Sequence, residues 1–147
     1  MKQGVLILAG MLLVASAVPA SAQDTYATRA LYNPGPYTHL NVRCVLCNFE
    51  SGLRNGNDGV VESILSHVLW LRLVRPDVNL DRLQDEITGL ITDGRTPSIR
   101  YRASLAAMVL ESPALFAGMT DKSYSTANEL FASVSATAEQ TLLGYNQ

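Results

Sequence analysis

Apolar positions recur at steps of three and four along most of the chain, and they predict helices from Val42 onward. Val42, Val45 or Leu46, Phe49 and Leu53 mark one side of a first helix, about Val42 to Arg54. The polar run Asn55-Gly56-Asn57-Asp58-Gly59 is a turn, and Asn57 or Asp58 can cap the next helix by accepting a free amide hydrogen bond. That second helix, about Asp58 to Val74, places Val61, Ile64, Leu65, Val68 and Leu71 along one stripe, and Arg75-Pro76-Asp77 ends it. Asn79 is the expected cap of a third helix with Leu80, Leu83, Ile87, Leu90 and Ile91 on its core face. Asp93-Gly94 closes that helix, with Gly94 suited to a left-handed terminal position.

Thr96-Pro97 starts a fourth helix. The Thr side chain caps, and Pro sits where its missing N–H does no harm. Its run Ala103 to Leu110 is apolar apart from Ser104, so this helix is expected to be the most buried. Ser112-Pro113 predicts a short helical turn through Phe116. A last helix begins near Thr126, where Thr126-Ala127-Asn128-Glu129 fits a capping box. Ala127, Leu130, Phe131, Val134, Ala138, Thr141 and Leu142 line its core face, and Gly144 ends it. No segment alternates with period two over a useful length, so the expected class is all-α: a small helical bundle, or a short α-solenoid of about two helical hairpins with a C-terminal capping helix.

The N-terminal part has another pattern. Lys2, the apolar run Val5 to Val14 and the small residues Ala20-Ser21-Ala22 have the form of a secretory signal, so residues 1–22 are expected to be removed after export. The apolar run is too short to span a bilayer core, which needs about 18 residues or more, and no second stretch in the chain reaches that length. Residues 23–41 read as a flexible or extended arm, because Asn33-Pro34-Gly35-Pro36 stops any helix. Residues 42–147 then form a single helical domain. The expected location is the periplasm or the extracellular space, with no transmembrane anchor left in the mature chain.

The two joints between paired helices are alike. Gly52-Leu53 matches Gly89-Leu90 at an offset of 37, and Val60 matches Ile99 at an offset of 39. A spacing of about 38 residues falls in the range of two-helix repeats. Ile99-Arg100-Tyr101-Arg102-Ala103 resembles the opening of the second helix in HEAT-type repeat families: an aliphatic, a basic and then a small residue after a short polar turn. The first joint departs from it, since Val61 stands where the basic residue belongs. The resemblance covers about Val42 to Ser112. It implies a protein-binding or scaffold module whose last helix seals an apolar end.

Composition narrows the functional classes. The 147 residues carry 11 basic and 13 acidic side chains, a formal charge of −2 that becomes −3 once Lys2 leaves with the leader. Nucleic acids and anionic membranes call for a basic face that this balance does not supply. With 48% of residues apolar, a wholly disordered chain is excluded.

Cys44-Val45-Leu46-Cys47 is the one constellation with chemical content. Haem attachment needs His next, and residue 48 is Asn. Zinc needs more ligands than His39, His67 and one CxxC provide, so no metal or cofactor is expected. A thioredoxin-type site needs a strand leading into the helix, and none is predicted. A local disulfide, favoured by an oxidising compartment, or a redox-active dithiol remains. The chain lacks GxSxG, HExxH and any glycine-rich phosphate loop, which favours a non-catalytic role. Asp85 and Glu86 read as a solvated polar face, and His67 as a partly buried structural residue. Trp70, Arg100, Tyr101 and Arg102 are the candidates for an interaction surface toward another protein, since Arg and aromatic side chains are the usual interface anchors.

Overall fold

A computed structural model describes residues 41–144. The expected leader, nearly all of the expected arm, and His39 lie outside the described residues. Five α-helices and one 3-10 helix come in order: α1 Val42–Leu53, α2 Asp58–Val74, α3 Asp81–Asp93, α4 Pro97–Glu111, the 3-10 helix Pro113–Met119, and α5 Ala127–Gly144. There is no strand among the described residues, so the class is all-α. No helix among them is long and apolar enough to cross a membrane.

Local chemistry explains most of the boundaries. Asn57 Oδ1 accepts from Gly59 N–H at 2.9 Å and starts α2. Thr96 Oγ1 accepts from Ile99 N–H at 3.1 Å and starts α4, with Pro97 at the first helical position. Thr126 Oγ1 accepts from Glu129 N–H at 3.2 Å, while the Glu129 carboxylate reaches back to Ser125 N–H at 2.8 Å. The capping box is thus closed one residue earlier than its usual form. The 3-10 helix runs past Phe116 to Met119, and both of those side chains are buried.

Two expected helix ends are corrected. Asn79 is not the cap residue of α3: Leu80 holds that place with its side chain buried, and Asn79 Oδ1 accepts from Asp81 N–H at 3.0 Å from one position further out. Gly94 is not left-handed. Its φ is −56°, and no described residue has a positive φ. Glycine is needed there for space instead. A Cβ at Gly94 would stand 2.5 Å from the Leu90 carbonyl oxygen and 2.9 Å from Ile99 Cγ2.

The helices form two hairpins, α1–α2 and α3–α4. Within this body α4 packs on both α3 and α2, and α1 packs on both α2 and α3. First helix therefore meets first helix, and second meets second. α5 and the 3-10 helix close over α4 and α2. One continuous core results, from Phe49 and Leu53 in α1 through Leu65, Leu69 and Trp70 in α2 to Val109, Leu130 and Val134. α4 was expected to be the most buried helix, but α2 shares that place. Its second half is buried at Val68, Leu69, Trp70, Leu71 and Leu73, on more than one side.

The two hairpins match in some positions and differ in others. Asn57 and Thr96, both cap residues, are 39 apart. Gly52 and Gly89, which match in sequence, are not equivalent. A Cβ on Gly52 would meet Ile64 Cγ1 at 2.5 Å, whereas Gly89 faces open space.

Candidate functional site

The start of α4 carries three of the four expected surface residues, and the structure gives each a different task. Arg100 is half-buried and donates from Nη1 to the Gly94 carbonyl at 2.6 Å, closing its own loop. Arg102 is more deeply engaged, with its side chain 18% exposed. It donates from Nη2 to Asn128 Oδ1 at 2.7 Å, lies 3.6 Å from a Glu62 carboxylate oxygen, and sits over the Phe131 ring at 5.2 Å from the centroid. One guanidinium thus ties α2, α4 and α5 together. Only Tyr101 stands out from the body, 54% exposed, with its hydroxyl hydrogen-bonded to Ser135 Oγ at 2.9 Å.

Tyr101 is the rim of a groove between α4 and α5 of about 570 Å³. Phe131, Ala132 and Ala136 of α5 line it, with Arg102 at one place and Glu139 at another. Ala132 and Ala136 lie one helical turn apart and are both exposed. Their small side chains let another backbone approach, while Tyr101 offers ring surface, Phe131 lines the groove with its ring largely buried, and Arg102, Ser135 and Glu139 offer polar contacts. The α5 half of this groove was missed in the sequence. Its only signal was the pair of alanines spaced by four on the outer side of the last helix.

Trp70 does not belong to this surface. It is fully buried, and its ring meets Tyr124 edge-on, with centroids 6.0 Å apart and planes at 79°. α2 and α4 face each other, and α5 covers them further.

Cys44 and Cys47 lie on the first turns of α1, and both are exposed and carry free thiols. Their surroundings differ. Cys47 lines a cavity between α1 and the beginning of α3, together with Arg43 and Arg82, and Cys44 does not.

His67 and Glu86 serve the fold. The His67 ring stacks on Phe49, with centroids 6.1 Å apart and planes at 16°, and burial pushes its pKa below the ordinary histidine value. Glu86 pairs with Arg54 across α1 and α3, and the bond to that guanidinium holds its carboxyl below the usual carboxylate range. Of the acids on that face, Asp85 is exposed, as expected of a solvated surface. No group of His, Cys, Asp and Glu among the described residues is arranged to hold a metal ion. Compared with family models, with curated proteins and with solved structures, the chain matches none.

Proposed function

We propose that this chain is a non-catalytic exported protein of HEAT-like helical-repeat type, which holds another protein in the cell envelope through the groove between α4 and α5. The observation that carries the proposal is the exposed Tyr101 beside a groove lined by Phe131, Ala132 and Ala136. Such a mixture of ring surface, small residues and a few polar groups suits a peptide segment of a partner. The stacking of α1 on α3 and of α2 on α4 supports the repeat part of the proposal, and the leader in residues 1–22 supports export.

The test is capture of a partner from the native envelope by the leaderless chain. Ala136→Arg fills the groove from an exposed position and leaves the core alone, and Asp85→Arg is the control on α3. The partner held by the wild-type chain should be lost with Ala136→Arg and kept with Asp85→Arg, at equal helical content. Equal capture by both variants would refute the groove.

A second function, a thiol-active envelope protein using Cys44 and Cys47, is favoured by one observation: Cys47 opens onto a cavity of its own.

A further inference from the structure

A cavity of about 330 Å³ lies between α1 and the beginning of α3. Leu46 and Leu83 give it an apolar side, Cys47 opens onto it, and Arg43 and Arg82 line it from one helix each. Glu50 is the single acid in its lining, so the charge there is net positive. Neither arginine is paired with a carboxylate among the described residues. Cys44 is exposed, lies outside the cavity, and precedes Cys47 by three residues on the same helix, a spacing that makes them surface neighbours. The two thiols are thus unequal: one faces a cationic, partly apolar cavity, and the other stands beside it in solvent.

We propose that this cavity receives a small, negatively charged disulfide, and that Cys47 is the thiol that attacks it, with Cys44 resolving the product. The proposal rests on the thiol-active function given above and names its substrate class. Arg43 and Arg82 hold the anionic groups of the disulfide, and Leu46 and Leu83 cover its carbon skeleton. The Cys47 thiolate attacks one sulfur of the bound disulfide. A bond forms between that sulfur and Cys47, the original S–S bond breaks, and the other half leaves as a thiolate. The Cys44 thiolate then attacks the Cys47 sulfur, forming Cys44–Cys47 and releasing the second half as a thiolate. The two protons lost by the protein thiols pass to the two departing thiolates. The protein dithiol is oxidised by two electrons and the small disulfide is reduced by two.

The experiment uses the full mature chain, reduced, with three probes: oxidised glutathione (anionic), bis(2-hydroxyethyl) disulfide (neutral) and cystamine (cationic). Cys44→Ser and Cys47→Ser each stop the reaction at the mixed disulfide, which intact mass detects. Every rate is divided by that of a free cysteine with the same probe. Cys44→Ser should react at Cys47 with a preference for the anionic probe, and Cys47→Ser should react more slowly and without preference. Arg82→Glu should lower the anionic-to-cationic ratio by roughly fivefold or more, since it removes an attraction for the anionic probe and adds one for the cationic probe, each an exposed charge pair. Equal rates at the two cysteines, or rates indifferent to probe charge, would overturn the proposal while leaving a thiol function standing. Failure of both cysteines to exchange with any probe would remove the thiol function itself.

Discussion

Arg95, in the loop between α3 and α4, donates from Nη2 to the backbone carbonyl of Asn55 at 3.1 Å, in the loop between α1 and α2. Its other terminal nitrogen donates to the Gly56 carbonyl, and its Nη2 lies 2.7 Å from Asp58 Oδ1. The turns of the two hairpins are therefore joined directly, second to first. Arg95→Ala removes all three contacts from a half-exposed site and should lower stability by about 1 kcal/mol. Arg95→Lys keeps the charge without the planar fork and should recover only part of it. Urea unfolding midpoints decide this, and an unchanged midpoint in Arg95→Ala would mean the turns are held by the core alone.

Two glycines of one hairpin should respond in opposite directions. A Cβ at Gly94 has no room, so Gly94→Ala should destabilise by about 1–3 kcal/mol. Gly89 is inside α3 with nothing nearby, so Gly89→Ala should stabilise by about 0.5–1 kcal/mol. Thermal or urea melts of the two variants check the pair. Stabilisation by Gly94→Ala would show that close approach does not govern that position.

Burial lowers the pKa of His67 in the folded chain, so its neutral form is the one that fits against Phe49. The unfolded chain takes up the proton first. The stabilising contribution is therefore complete above about pH 6.5, the unperturbed value, and is lost as pH falls from there through the lower folded value. Glu86 and Asp77 have lowered pKa values, so their contributions are complete above the ordinary carboxylate range and fade on further acidification, as pH falls from there through the lower folded values. His67→Leu should flatten the stability profile near and just below pH 6.5 and leave the acid limb in place. Identical profiles would show that the histidine ring is hydrated in the folded state.

Signals confined to a few neighbouring residues were legible in the sequence. The caps Asn57 and Thr96, the pair Thr126 and Glu129, and the core stripes of α1 and α3 depend on contacts within one turn, and the pattern revealed them. Features that depended on distant chain were not legible. An aromatic such as Trp70 fits an interaction surface or a core equally well in sequence, and only the return of α5 and the 3-10 helix over α2 places it in the core. Gly94 carries the same letter whether a left-handed turn or a tight crossing requires it, and only the position of Ile99 and the Leu90 carbonyl distinguishes the two. The groove needed both Tyr101 of α4 and Ala136 of α5, which no local pattern connects.

The fold is organised around α2, an enclosed axis held between α1 and α4 and sealed by the 3-10 helix and the last helix. Trp70, the one tryptophan of the chain, reports on it directly. In the native leaderless protein its emission should be blue-shifted and shielded from iodide, moving to the red and becoming quenchable only on unfolding. Solvent-like emission with ready quenching under native conditions would contradict an enclosed α2.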